Sequence, residues 1–153
     1  LNFSAGLTTG FTYAITNISI SGVNNSGTFT YSNSIGDWTA QDGTASYAYA
    51  GDFNGTITDN VLKLSTGSNA LMLMPQTVPA GAEISITYTA TANSTNQVTF
   101  NGTKKVAIGG VEWKKGSNIC YKLILPTGAE AITYSTVVNP WGEEDSQDKT
   151  TQP

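Results

Sequence analysis

The side chains that carry most protein chemistry are scarce in this sequence. There is no histidine, and Cys120 is the one cysteine. A Ser-His or Cys-His nucleophile therefore cannot be assembled, and zinc cannot be held by imidazole. Eleven Asp and Glu remain, and a carboxylate pair is all that glycoside hydrolysis requires. Most of them, Asp37, Asp42, Asp52, Asp59 and Glu83 included, fall at turn signals or strand ends, so no catalytic residue is assigned. Asp52 with Asn54, or Asp59 with Asn60, offers oxygen ligands of the kind calcium takes. Asp and Asn at such places more simply bond their own backbone, so neither a metal nor a cofactor is expected. Three tryptophans, Trp38, Trp113 and Trp141, remain as rings on which a sugar could stack. Trp38 and Trp113 equally suit the ends of a core, with the indole N–H reaching a partner at the rim. Trp141, next to a polar tail, is expected to be the most exposed.

Charge narrows the partners. All seven basic residues are lysine and the net charge is −4, so there is neither the clustered basic face that nucleic acid needs nor an arginine fork for phosphate. Cys120 alone cannot form an intrachain disulfide, and its place between Ile119 and Tyr121 reads as core. No apolar run approaches the ~18 residues of a membrane-spanning segment. The chain opens on Leu1 without a signal peptide; the expectation is a mature form or a fragment whose targeting segment has been removed.

The elements that must position these residues are strands. Charged residues make up 12% of the chain, about half the usual ~25%, with Ser, Thr and Asn in their place. Such a composition suits pleated surfaces with hydroxyl-bearing outer faces. Phe11, Tyr13 and Ile15 alternate with polar residues, then Ile18 and Ile20 continue out of phase, which predicts a β-bulge near Asn17. Residues 22–27 read as a turn, 28–31 as a strand, and the Trp38 segment turns at Asp42-Gly43 to return over 45–50. Asn54-Gly55 signals a hairpin leading into a strand over 56–64. Residues 70–74 read as a strand buried on both faces, 84–88 as an alternating strand, and Asn101-Gly102 as punctuation within 97–108. A Lys-Lys-Gly turn after Trp113 precedes an apolar strand over 119–125. In the last strand, 132–138, Ile132, Tyr134 and Val138 share one face.

No helical spacing is found over ten or more residues. About eight short strands in one domain of residues 1–139 predict an all-β, antiparallel two-sheet β-sandwich. The acidic, polar segment 140–153 is expected to be a disordered tail. Lys104, Lys105, Lys114, Lys115 and Lys122 suggest one guarded sheet edge, whereas no charge occurs from Leu1 to Gly36. That contrast predicts an open N-terminal edge, unless an upstream domain covers it.

Three passages in order resemble the fimbrillin and Mfa-like surface proteins of Bacteroidales. They are TYAITNISISGVNNSGTFTY with GDWT; ALMLMPQTVPAGAEISITYTA at 70–90; and Trp113-Lys-Lys-Gly116 into ICYKLIL, with ITYSTVV and the Pro-Trp-Gly tail. The resemblance covers residues 11–141. It implies a transthyretin-like, Greek-key sandwich on an exported lipoprotein of the outer membrane and cell surface. This chain looks like the C-terminal of two such domains. The partners it implies are other fimbrial subunits joined by edge-strand pairing, a form of β-strand addition. A stand-alone module binding carbohydrate, or another host or bacterial surface ligand, is the alternative. Two departures stand out: the start has no lipid-bearing cysteine, and an arginine-specific cleavage has no site here.

Overall fold

The computed structural model describes residues 1–50, 57–64 and 73–140. Thirteen strands occur among them: β1 (Asn2–Gly6), β2 (Phe11–Val23), β3 (Ser26–Ser32), β4 (Ile35–Asp42), β5 (Ala45–Ala50), β6 (Ile57–Thr58), β7 (Val61–Lys63), β8 (Gln76–Thr77), β9 (Glu83–Ala92), β10 (Gln97–Ala107), β11 (Glu112–Trp113), β12 (Ser117–Ile124) and β13 (Thr133–Pro140). Two sheets form the sandwich. One has the order β13-β12-β1-β7-β6 and the other β10-β9-β2-β5; β8–β11 and β3–β4 form two-stranded sheets of their own. The all-β class read from the sequence is therefore the observed one.

Alternation builds the core. In β9, Ile84, Ile86, Tyr88 and Ala90 point inward while the Ser and Thr between them face out. Beside it in β2 lie Ile15, Ile18 and Ile20, all buried. The register slips between Ile15 and Asn17, the bulge that the phase change in the sequence predicts. Facing them from the other sheet are Phe3, Ala5, Ile119, Tyr121 and Leu123. Two tyrosines tie the sheets at the end of β12. Tyr13 donates to the Leu125 carbonyl at 3.1 Å and Tyr88 to the Pro126 carbonyl at 2.6 Å.

Several local readings change. Residues 2–6 show too little alternation to be read as a strand, yet β1 lies inside its sheet, parallel to β12 on one side and antiparallel to β7 on the other. The expected open N-terminal edge is therefore closed, because neighbours distant in sequence supply the pairing on both sides. The parallel β1–β12 pair also interrupts an otherwise antiparallel pattern. The single strand expected over 56–64 is a hairpin in its described part, turning at Asp59 and Asn60, whose φ angles are +50° and +62°. Two successive left-handed residues make the turn type that hairpin twist favours. The turn expected over 22–27 is shorter, since β2 runs on to Val23 and β3 starts at Ser26. Gly22 makes the extension feasible. It sits at a bulge with φ +76°, and a Cβ there would lie 3.0 Å from the Ala82 Cα and the Gly81 carbonyl oxygen.

Asn101-Gly102 does not break β10, whose pairing with β9 runs unbroken through it from Phe100 to Ala107. In the described part of 70–74, Leu73 and Met74 belong to no strand; the short β8 begins beyond Pro75, at Gln76. Residues 70–72 and the Asn54-Gly55 signal lie outside the described residues.

Candidate functional site

The hairpin β3–β4 carries the first of the aromatic residues that the sequence singles out. Its tight turn is set by Asn33 and Ser34, with φ +51° and +62°. Opposed residues of an antiparallel pair share a face, and Phe29 stands opposite Trp38. Their ring centroids are 5.3 Å apart at 56°, a tilted contact that suits the ring quadrupoles. Tyr31, two residues on, joins the same face and is 71% exposed, against 36% for Trp38 and 55% for Phe29. The result is an outward ledge of three rings. Phe29 and Tyr31 were legible in the alternation of Thr28-Phe29-Thr30-Tyr31, a pattern that by itself reads as core.

Polar contacts hold this hairpin to the sandwich. The Gln76 side chain is 4% exposed. It accepts from the Asn24 N–H at 2.8 Å and donates to the carbonyls of Asn24 (3.0 Å) and Met74 (3.1 Å). Gln41 donates to the Pro75 carbonyl, and the Lys115 ammonium donates to that of Gly36. The Pro-Gln pair is thus a latch: its proline carbonyl and glutamine amide fix both ends of the hairpin.

Trp113 lies on the other side of the balance. It is buried, and its indole N–H donates to the Tyr121 hydroxyl at 2.9 Å. Burial raises the Tyr121 pKa to about 12, against a lowering by the bond from Trp113 and a small rise from Tyr134. Trp141 and the acidic tail lie outside the described residues, as do Asp52 and Asn54. Asp59 and Asn60 form the β6–β7 turn; the Asn60 amide donates to the Thr9 hydroxyl at 2.8 Å and its carbonyl accepts from the Leu7 N–H at 2.7 Å. Among the described residues no three His, Cys, Asp or Glu gather as metal ligands.

The sheet edges differ sharply. At the β10 edge stand Lys104, Lys105 and a register slip between Val98 and Phe100, devices that discourage pairing with another chain. Of the other lysines expected to guard an edge, Lys122 lies on the interior strand β12. At one edge of the sandwich's other sheet, β13 reads TYSTVVNP over eight residues without a charge. Its backbone phase follows from β12. The Leu125 N–H bonds the Gly6 carbonyl, so residues 121, 123 and 125 point their backbone groups at β1, and 120, 122 and 124 point theirs at β13. Those pair with Val137, Ser135 and Thr133. The N–H and C=O of Tyr134, Thr136 and Val138 therefore face away from the sheet, and no strand among the described residues meets them.

The sandwich thus presents a latched aromatic hairpin and an uncharged edge strand at its surface. A family model described as Fimbrillin-like matches residues 1–141, and the chain belongs to the fimbrillin-like family, a class of fimbrial or adhesion-related proteins. Membership points to a structural, non-enzymatic protein exposed at the cell surface. Among solved structures, a fimbrial protein from Bacteroides vulgatus is similar at 17% identity with a TM-score of 0.59, covering 92% of this chain and 53% of its own. A second, from Bacteroides uniformis and assigned to cell adhesion, shows 15% identity and a TM-score of 0.40 over 92% of this chain and 49% of its own. The chain thus spans about half the length of these structures. A comparison with curated proteins found no match.

Proposed function

We propose that this domain is a structural or adhesive subunit of a bacterial cell-surface fimbria that joins neighbouring subunits by β-strand addition. The observation that carries the reading is the contrast between edges on a fimbrillin-like fold. One edge is guarded by lysines and a bulge, while the outward backbone groups of β13 meet no strand among the described residues, with no charge beside them to deter a partner strand. In this reading the chain is the C-terminal of two sandwich domains on an exported lipoprotein of the outer membrane. Light scattering on the full-length mature protein, before and after limited trypsin treatment, tests it. Cleavage is expected to produce ladder-like polymers. A species that stays at its starting mass after cleavage removes the strand-addition reading.

The exposed ledge of Phe29, Tyr31 and Trp38 favours a second reading, a module that binds carbohydrate or another host ligand. Specific binding on a glycan array that is lost in Trp38→Ala or Trp141→Ala would support it. Binding unchanged in both variants would remove these rings from the account. Trp113, turned into the core, takes no part in it.

A further inference from the structure

We propose that two copies of this chain pair symmetrically through β13, strand antiparallel to strand about a twofold axis at Thr136. The pairing stands apart from strand addition: it needs no cleavage, is the same surface on both partners, and closes at two.

The outward backbone groups of β13 belong to Tyr134, Thr136 and Val138, the phase set by the ladder through β12. With Thr136 opposite its own copy, Tyr134 falls opposite the partner copy's residue 138, and Val138 opposite its residue 134. All three pairs are then of the kind that exchange both backbone bonds. The side chains complement one another as well. An aromatic ring meets a β-branched residue twice, and threonine meets threonine at the axis, both among the favourable cross-strand pairs. A charged edge would set like charges together under a twofold; this one has none.

The face on which these side chains lie gives a second reason. Tyr134, Thr136 and Val138 stand opposite Leu123, Tyr121 and Ile119, which are buried, so they lie on the core side of the sheet. The Tyr134 ring lies tilted against that of Tyr121, 5.5 Å between centroids, but at the open end of the row Val138 is 54% exposed. In the symmetric pair a second Tyr134 ring covers Val138. A twofold axis perpendicular to the sheet keeps the two core faces on one side, so the hydrophobic layer runs on across the junction.

Cross-linking tests the register. In a Cys120→Ala background, Thr136→Cys places two thiols directly opposite, about 5.5 Å apart at Cα, which suits a disulfide. Mild oxidation is expected to give a covalent dimer. Ser135→Cys is expected to give none, because its counterpart in this register is residue 137, which leaves the two thiols staggered along the strands, too far apart for a disulfide. Light scattering on the unmodified protein, without protease, should read twice the 16.1 kDa of one chain. Thr136→Lys should weaken association roughly tenfold or more, as like charges meet at the axis. An equal mixture of Thr136→Lys and Thr136→Asp should restore it, a result that mere misfolding of either variant cannot give. A monomer at high micromolar concentration, equal cross-linking at 135 and 136, or open-ended polymers before cleavage would each overturn the proposal. Failure here leaves the ladder test untouched, because that test reads polymers formed after cleavage.

Discussion

Replacing Gln76 by leucine tests whether the Pro-Gln latch holds the hairpin or merely lies beside it. The substitution keeps the volume but removes three hydrogen bonds, leaving the Asn24 N–H, the Asn24 carbonyl and the Met74 carbonyl without their partner. A buried polar group stripped of its partner costs roughly 1–3 kcal/mol. Asn24 and Met74 are only partly buried, so water recovers some of this and the lower end applies, for a total of about 3 kcal/mol. With a urea slope of about 2 kcal/mol per molar, the unfolding midpoint should fall by about 1.5 M. Gln76→Glu sharpens the test. Its carboxylate can still accept from the Asn24 N–H but must face two carbonyls it no longer donates to, which favours the protonated acid in the folded state. The folded pKa then rises above the unfolded value of about 4.3. The variant should approach wild-type stability below that pH and lose ground as the pH climbs from there to the folded pKa. Urea midpoints at pH 4 and pH 7 read this directly. A leucine variant within about 0.3 M of wild type, or a glutamate variant whose deficit is the same at both pH values, would refute the latch.

Gly22→Ala should destabilise by about 1–3 kcal/mol, since it forces a left-handed φ and meets the backbone of Gly81 and Ala82; thermal unfolding reads the loss. Gly109→Ala should also be costly. Its Cβ would stand 2.7 Å from the Ala80 Cα and 2.8 Å from the Pro79 carbonyl, so the connection before β9 must shift, which a lowered melting temperature would report. Alkaline pH should destabilise the fold. Burial raises the pKa of both Tyr88 and Tyr121, the latter to about 12, while the unfolded tyrosines titrate near 10. Stability is therefore whole below pH 10 and drops as pH rises from 10 towards 12. Urea midpoints at pH 8 and 11 check it, and a flat profile would contradict the burial assigned to these hydroxyls. Trp113→Phe leaves the buried Tyr121 hydroxyl without its donor and should cost about 1–3 kcal/mol, visible as an earlier urea transition.

What the sequence makes plain is whatever repeats locally. The alternation in β9, the slip at Asn17 and the turn after Trp113 are short-range signals, and the structure has each where the sequence puts it. What it hides is pairing between distant segments. Residues 2–6, NFSAG, carry no periodicity because β1 is an interior strand with Phe3, Ser4 and Ala5 all buried. An uncharged N-terminal quarter suggests an open edge only if its neighbours are unknown. Gln76 is visible in the sequence as part of a motif, but its role depends on Asn24, far away in the chain, which no pattern around Pro75 reveals. The ledge was half legible: Trp38 draws attention by type, while Phe29 and Tyr31 look like core until the hairpin is seen to form a sheet of its own. Asp59 and Asn60 illustrate the reverse, oxygen-bearing residues whose spacing reflects turn geometry.

The parallel pairing of β1 with β12 also bears on when the protein can fold. Asn2 meets Cys120 and Gly6 meets Ile124, so β1 has to wait for a strand made much later before this pair can form. β2, β9 and β10 can assemble while the other sheet still lacks its middle, and closing so long a loop slows the final step. During synthesis the chain therefore remains incompletely folded until β12 emerges, with Phe3 uncovered.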